Sequence, residues 1–123
     1  MRTLVAGCAG FIGAKVSEVL ARDGHEVVGV DNLNDAYDVR LKNWRLEQIR
    51  RMPGLTVQQM DITHEGALSE LGERHQFDAV VNLAARAGVR QSLLTPDLYY
   101  GTNVAGTLRL LEFCRYSRNL PPA

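Results

Sequence analysis

The sequence predicts an α/β fold with a doubly wound parallel sheet, and three observations support this prediction. Short apolar runs of strand length alternate with longer segments of helical periodicity. Glycines occupy positions 7, 10 and 13, between the first strand and the first helix. Asp31 stands at the end of the second strand. The 123 residues suffice for one domain with a modest core, so we expect residues 1–123 to form a single unit.

The first three elements form a β-α-β unit. Thr3–Ala6 has the composition of a buried strand, and Phe11–Asp23 repeats its apolar residues at helical spacing. Gly24 ends that helix, and Glu26–Val30 is rich in strand-forming residues. Because such crossovers are right-handed, the two strands are predicted to be parallel.

A second helix is predicted over Asp38–Met52, after a polar loop at residues 32–37 and before Pro53-Gly54. One side of this helix carries Leu41, Trp44, Gln48 and Met52. The charged side chains are predicted to form a solvated face rather than a nucleic-acid patch, and they are Arg40, Lys42, Arg45, Glu47, Arg50 and Arg51. The alternative is that arginines of this helix lie near the phosphate site.

The remaining elements complete a sheet of about four strands. Leu55–Met60 and Ala79–Leu83 are predicted as the third and fourth strands, with a short helix near Ala67–Gly72 between them. A last helix is predicted over Pro96–Tyr116, and the two prolines near the end exclude a strand at 119–123. The predicted strand order is 3-2-1-4, which is the first half of a Rossmann-type fold plus one strand.

The glycine loop predicts a site for a phosphate group. Gly7 permits a tight turn, Gly10 lets a ligand approach the backbone, and Gly13 lets the helix lie close to the sheet. The unpaired N–H groups and positive dipole of the helix start favour an anion. The alternative is a plain strand-to-helix turn in which glycine serves packing alone.

Asp31 adds the second half of a dinucleotide-binding pattern. An acidic residue about 20 residues beyond the glycine loop can accept hydrogen bonds from both hydroxyls of the adenosine ribose. Its charge would repel a 2′-phosphate, so the pattern predicts NAD rather than NADP as the cofactor. Alone, Asp31 is equally well explained as a turn or cap residue; joined to the glycine loop, it indicates a dinucleotide site.

Composition excludes several other classes of function. The 14 basic and 14 acidic residues balance, so we expect neither a nucleic-acid partner nor a membrane surface. Cys8 and Cys114 have no metal-binding spacing, and they favour a reducing, cytoplasmic location. His25, His64 and His75 lie among polar residues, so we expect no metal site.

Several motifs, in order, resemble those of the extended short-chain dehydrogenase/reductase superfamily. They are G-C-A-G-F-I-G at 7–13, D-N-L at 31–33, D-I at 61–62, N-L-A-A at 82–85 and N-V-A-G-T-L-R-L-L-E at 103–112. The stretches at 31–42 and 87–92 are similar to UDP-glucuronate 4-epimerases and related NAD-dependent nucleotide-sugar epimerases. Galactose-type 4-epimerases and sugar-nucleotide dehydratases share most of these motifs. The resemblance implies the N-terminal part of such an enzyme, with NAD as cofactor and a UDP-sugar as substrate of the complete protein.

The resemblance also implies a role for particular residues. Those expected to contact the pyrophosphate are Gly7, Gly10, Phe11, Ile12 and Gly13. Those expected at the adenosine are Asp31 and Asn32 for the ribose, and Asp61 and Ile62 for the adenine. Those expected on the nicotinamide side are Leu83, Ala84 and Ala85, and Asn103 is expected to project from its helix toward the cofactor end of the fourth strand. Arg90 and Ser92 are implied to lie in a loop that borders the sugar; the alternative is an exposed arginine and a serine that leads into a helix.

No catalytic residue is assigned. In the family that this chain resembles, a tyrosine takes the proton of the sugar hydroxyl, and a lysine four residues later lowers the pKa of that tyrosine. The two lysines of this chain, Lys15 and Lys42, do not follow any tyrosine at that spacing. Besides the epimerase fragment, a stand-alone NAD-binding module and a non-catalytic structural or sensor fragment therefore stay open.

The fourth strand predicts self-association. A neighbour beyond Ala79–Leu83 is missing from the predicted sheet, which leaves backbone N–H and C=O groups unpaired beside apolar side chains. We therefore expect a homodimer, or exchange of the C-terminal segment between two copies, through the edge of this strand.

Overall fold

The structure is a computed structural model, and it describes residues 1–33 and 38–116. The predictions made for residues 34–37 and 119–123 lie outside the described residues. The elements are β1 Arg2–Ala6, α1 Phe11–Arg22, β2 Glu26–Asp31, α2 Val39–Arg50, β3 Leu55–Gln59, α3 Ala67–Arg74, β4 Ala79–Asn82, α4 Val89–Leu94, α5 Pro96–Tyr99, a π-helical segment Tyr100–Ala105, and α6 Gly106–Tyr116.

The sheet has four parallel strands in the order β3-β2-β1-β4, which confirms the predicted fold class. Each strand ends within one residue of its predicted end. The register sets Val5 of β1 opposite Gly29 of β2 and Val81 of β4. Because all strands run the same way, their carboxyl ends and the loops that follow share one edge of the sheet.

Helices cover both faces of the sheet. Successive side chains of a strand point to opposite faces, so Leu4 and Val5 of β1 belong to different cores. The core that contains Leu4 includes Leu71 of α3 and Leu110 of α6. The core that contains Val5 includes Leu46 of α2. Alternate residues of one strand thus anchor helices on both faces, and this fixes the loops between them.

The solvated face predicted for α2 is wrong at Lys42, and the apolar side noted in the sequence is not the side that packs on the core. Leu41 and Trp44 are 44% and 59% exposed, whereas Lys42, Leu46 and Ile49 are buried. Lys42, which the charge pattern assigned to solvent, is only 5% exposed because its ammonium group is paired with a carboxylate inside the protein. The ion pair offsets the free energy cost of burying the Lys42 charge, so the side of α2 that contains Lys42 can face the core.

The C-terminal region is more divided than the sequence predicts. Arg90 and Ser92, predicted in a loop, lie in the short helix α4, so that structural assignment is wrong. The single helix predicted from Pro96 to Tyr116 is divided into α5, the π-helical segment and α6. The residues at both junctions keep right-handed helical backbone angles, so the path stays helical while its hydrogen-bond register changes.

Within the described ranges, no helix is long and apolar enough to span a membrane. In the same part of the chain, no cluster of three or more His, Cys, Asp or Glu side chains has the arrangement of a metal site.

Candidate cofactor-binding site

A cleft of about 300 Å³ lies at the carboxyl edge of the sheet. It brings together most of the residues that the sequence predicts to bind a cofactor: Gly7, Gly10, Phe11, Ile12, Gly13, Asp31, Asn32, Asp61, Ile62, Leu83, Ala84 and Ala85. Residues far apart in sequence thus meet because the loops after β1, β2, β3 and β4 share this edge.

A larger hollow of about 810 Å³ lies between α3 and α6. Of the predicted site residues, it includes Ile62 alone. Its walls are formed mostly by α3, α6 and the loops that flank α3, rather than by the carboxyl ends of parallel strands, where ligands of open α/β sheets bind. The smaller cleft is therefore the candidate site.

The glycine loop packs against the loop after β4 without room for side chains. Gly7 has φ +84°, and a Cβ added there would lie 2.6 Å from the carbonyl carbon and oxygen of Leu83 and 2.7 Å from the nitrogen of Ala84. A Cβ at Gly13 would lie 1.9 Å from the carbonyl oxygen of Gly7. Both positions therefore require glycine, because the loop packs against the backbone after β4 at Gly7 and against the start of α1 at Gly13.

The start of α1 offers backbone donors to the cleft. Its N-cap, Gly10, forms no side-chain cap, and the first turn contains no acidic residue. Phe11 and Ile12 are 79% and 60% exposed although they are apolar. Uncapped N–H groups at the positive end of a 12-residue helix suit a phosphate, and the absence of a side chain at Gly10 lets that phosphate approach. The residues present therefore fit a dinucleotide pyrophosphate.

The carboxylate of Asp31 is buried where β2 ends. Its Oδ2 accepts a hydrogen bond from the Ala9 N–H at 3.0 Å, and its Oδ1 accepts one from the Leu33 N–H at 2.8 Å. Lys42 Nζ lies 3.6 Å from Oδ1, and both side chains are only 6% exposed. Asp31 thus lines the cleft while it ties the glycine loop to β2 and α2.

Two cations of α2 support the glycine loop, although the charge pattern predicted a solvated face for both. Lys42 contacts Asp31, and Arg45 Nη1 donates a hydrogen bond to the Ala9 carbonyl oxygen at 3.4 Å. The Arg45 guanidinium also lies 5.6 Å from the centre of the Phe11 ring. The signal that could have found Lys42 is its helical spacing from Leu46 and Ile49, both buried.

Cys8 lies beside these groups but is not suited to nucleophilic chemistry. Its side chain is buried against Gly29, where an added Cβ would lie 2.8 Å from Sγ. Burial, with a smaller contribution from the negative charge of Asp31, raises the pKa of the Cys8 thiol to about 12. The thiol therefore stays protonated and fills space behind the loop.

Asp61 places a second carboxylate on the cleft, after β3. Its Oδ1 accepts hydrogen bonds from the Thr63 N–H at 2.8 Å and from the Thr63 hydroxyl at 2.6 Å. Burial alone would raise the pKa of Asp61, but the hydrogen bonds from Thr63 and the nearby His64 outweigh it and lower the pKa below its usual value. This wall of the cleft is therefore negative at neutral pH.

Three predicted residues do not line the cleft. Asn103 lies in the π-helical segment and holds the loop after β4: its Oδ1 accepts from the Arg86 N–H at 2.8 Å and its Nδ2 donates to the Arg86 carbonyl oxygen at 3.1 Å. Arg90 and Ser92 lie on α4, where the Ser92 hydroxyl donates to the Val89 carbonyl oxygen at 2.6 Å. In place of Asn103, the preceding residue Thr102 faces the cleft.

Comparison with known proteins agrees with this geometry. A family model described as GDP-mannose 4,6 dehydratase matches residues 4–121. UDP-glucuronate 4-epimerase from Thermodesulfobacterium geofontis is 51% identical over 112 residues, which are 91% of this chain and 35% of the relative. UDP-glucuronate 4-epimerase 3 from Arabidopsis thaliana is 44% identical over 120 residues, 98% of this chain and 27% of the relative. The chain thus spans 35% and 27% of the length of these two curated relatives.

Solved structures show the same likeness. A mutant UDP-glucuronic acid 4-epimerase from Bacillus cereus, in complex with UDP-4-deoxy-4-fluoro-glucuronic acid and NAD, has a TM-score of 0.85 and 31% identity, over 98% of this chain and 38% of that one. UDP-glucose 4-epimerase from Brucella ovis, in complex with NAD, has a TM-score of 0.78 and 34% identity, over 96% of this chain and 33% of that one.

The resemblance to nucleotide-sugar epimerases that the motifs indicate is thereby confirmed. With a family model that covers residues 4–121 and the strand order of a Rossmann-type sheet, this chain belongs to the GDP-mannose 4,6-dehydratase family.

Proposed function

We propose that residues 1–123 are the N-terminal, NAD-binding part of a nucleotide-sugar epimerase, which acts on UDP-glucuronate or a related UDP-hexose at C4 by transient oxidation. One observation carries the proposal: the glycine loop with its closely packed Gly7 and Gly13, the uncapped start of α1 and the buried carboxylate of Asp31 meet in one cleft. A glycine turn that served packing alone would need neither the uncapped helix start nor Asp31.

Each part of the cleft suits one part of the cofactor. The amides of Phe11 and Ile12 hold the pyrophosphate by charge and hydrogen bonding, and Gly7, Gly10 and Gly13 line it. Asp31, with Asn32 beside it, accepts from the adenosine ribose, and Asp61 with Ile62 borders the adenine. The nicotinamide side is formed by the loop that contains Leu83, Ala84 and Ala85. Asn103 acts on that side indirectly, because it holds the backbone of Arg86 in the same loop.

When bound, NAD supplies a hydride acceptor for the sugar carbon and returns the hydride to the product. The residues of this chain bind and orient the cofactor for that reaction. We also propose that Arg90 and Ser92 of α4 border the sugar in the complete enzyme, since both lie close in sequence to the nicotinamide side. An Arg90→Ala variant of the complete enzyme should then weaken UDP-sugar binding without weakening NAD binding.

Titration calorimetry with NAD and NADP tests the proposed cofactor. We expect NAD to bind more tightly, because Asp31 accepts from ribose hydroxyls and repels a 2′-phosphate. Asp31→Ala should abolish the preference. A chain that is folded by circular dichroism and binds neither dinucleotide would contradict the proposal.

A stand-alone NAD-binding module is the second candidate, favoured by one sequence observation. Within the 123 residues, no lysine follows a tyrosine at a spacing of four. General acid-base assistance is worth about 10²–10⁴ in rate, so we expect no turnover of UDP-glucuronate or UDP-galactose by this chain alone. Chromatography of the sugar nucleotides would detect any epimerised product. Binding of NAD without turnover fits both candidates, whereas a chain that binds no NAD would be a structural or sensor fragment.

We further propose that the chain forms a homodimer through the edge of β4. Among the described strands, β4 pairs with β1 alone. Nearby Val104, Leu108 and Leu111 are 51%, 57% and 47% exposed. A second copy could pair with the unpaired strand edge and cover these apolar side chains. Light scattering would give the mass, and a monomer at high concentration would contradict this arrangement.

A cytoplasmic location is also proposed. Cys8 and Cys114 are free thiols, and a reducing compartment keeps thiols in that state. Fractionation of cells that express the tagged protein would test this, and recovery from a secreted or membrane fraction would contradict it.

A further inference from the structure

Lys42 of α2 has a buried side chain, and its ammonium group lies beside Asp31 in the wall of the cleft. Its side chain is 6% exposed, and its Nζ lies 3.6 Å from Oδ1 of Asp31. Both residues line the cleft. The other lysine of the chain, Lys15, is 66% exposed and contacts Glu18 on the surface of α1. Lys42 therefore differs from a surface cation in both burial and partner.

The position of Lys42 affects how Asp31 can meet a ligand. An ionised carboxylate has about four acceptor positions. The amides of Ala9 and Leu33 occupy two of them, and the Lys42 ammonium group lies against the oxygen that Leu33 already contacts. These contacts orient the carboxylate, and the two amide hydrogen bonds leave about two acceptor positions, one on each oxygen, for ligand hydroxyls. Lys42 thus helps to set the direction in which the free acceptor positions of Asp31 point.

Lys42 also changes the charge that a ligand meets. Asp31 alone would repel a 2′-phosphate, but the adjacent ammonium group brings the charge of the pair to zero. At an effective dielectric constant of about 20, one unit charge at about 6 Å changes a binding constant by more than tenfold. The positive charge of Lys42 therefore weakens the discrimination against NADP that Asp31 provides.

We propose that Lys42 is a positioning residue for the Asp31 carboxylate, and that its charge limits the discrimination of the cleft against the 2′-phosphate of NADP. This inference rests on the proposed NAD-binding function. It predicts a selectivity effect, which a residue that only stabilised the fold would not have.

The test is calorimetric titration of NAD and NADP into the unmodified chain, Lys42→Met and Lys15→Met. The Lys15 variant removes the same charge from an exposed site, so it is the matched control. We expect Lys42→Met to weaken NAD binding about 3- to 10-fold and NADP binding about 30- to 100-fold, which raises the ratio of the two dissociation constants about tenfold. Lys15→Met should change that ratio by less than about twofold, because exposed charges interact weakly.

An unchanged ratio in folded Lys42→Met would overturn the inference, even if both cofactors bound more weakly. Failure of the unmodified chain to bind either dinucleotide would instead overturn the proposed function itself. If Lys42→Met does not fold, Lys42→Gln provides the same test, because its amide can still donate a hydrogen bond to the buried carboxylate while the charge is gone. The ratio should rise about tenfold in this variant as well, and an unchanged ratio would refute the role of the charge.

Discussion

Substitution of Gly7 by alanine tests the close contact between the glycine loop and the loop after β4. Alanine at φ +84° is strained, and left-handed backbone costs about 1–2 kcal/mol for an L-residue. The new Cβ would also lie 2.6 Å from the Leu83 backbone, about 0.8 Å inside the 3.4 Å at which ordinary contact begins. Because the neighbour is backbone, it cannot rotate away, and overpacking of this kind costs about 1–3 kcal/mol. We therefore expect a loss of about 2–5 kcal/mol in the free energy of unfolding.

Gly24→Ala is the matched control. Gly24 has φ +90°, and no described atom lies within 4 Å of a Cβ added there. This variant should lose only the backbone contribution of about 1–2 kcal/mol. Thermal and urea unfolding, followed by far-UV circular dichroism, give both values. A difference of about 1–3 kcal/mol corresponds to roughly 4–12 °C in Tm for a chain of this size.

The two variants should also separate in cofactor binding. Gly7→Ala must displace a loop that borders the cleft, whereas Gly24 lies at the far end of α1. We expect NAD affinity to fall in the first and to stay unchanged in the second. Equal unfolding free energies for the two variants would refute the reasoning, because they would show that the loop after β4 does not restrict Gly7.

Three further predictions concern other parts of the molecule. Leu46→Ala should lower the free energy of unfolding by about 2–5 kcal/mol and Trp44→Ala by less than about 0.5 kcal/mol, since only Leu46 is buried. Urea unfolding measures both values, and the opposite order would show that the side of α2 with Trp44 faces the core. Thr63→Val should reduce stability near about pH 7, because the hydrogen bonds from Thr63 lower the pKa of Asp61 and so stabilise the folded state above the ordinary value of 3.8. The deficit should shrink as the pH falls below 3.8 and through the lowered pKa, where the Asp61 carboxylate becomes protonated. Unfolding midpoints across this range measure the effect, and a deficit independent of pH would contradict it. Cys8 should resist iodoacetamide in the native state and react in urea, because its pKa is raised to about 12; rapid native labelling by mass spectrometry would exclude its burial.

The strands and the cleft could be predicted because they depend on local pattern. A parallel sheet buried on both faces leaves continuous apolar runs such as those of β1 and β2, and Gly7 and Gly13 report backbone approaches that any side chain would block. Twelve of the residues predicted without knowledge of the tertiary structure therefore line one cleft.

The orientation of α2 could not be predicted in the same way. Trp44 and Leu41 are more apolar than Lys42, so composition favours them for the interior. The outcome depends instead on a tertiary ion pair with Asp31, which lies in a different element. Likewise, the division of the last helix has no local marker, because Tyr100–Ala105 contains no proline, and its register change accompanies contacts from Asn103 to the distant Arg86.

The contact between Gly7 and Leu83 has a consequence for the order of folding. The two residues lie on strands that are neighbours in space, but most of the described chain separates them in sequence. Closing so long a loop is slow, because the entropy of the chain opposes it before any contact forms. The β1-α1-β2 unit can form from local contacts, yet the wall of the cleft next to Gly7 exists only after β4 has joined β1. Dinucleotide binding would therefore select the fully assembled sheet over any partly folded form, and it should slow unfolding by trapping β4 in place.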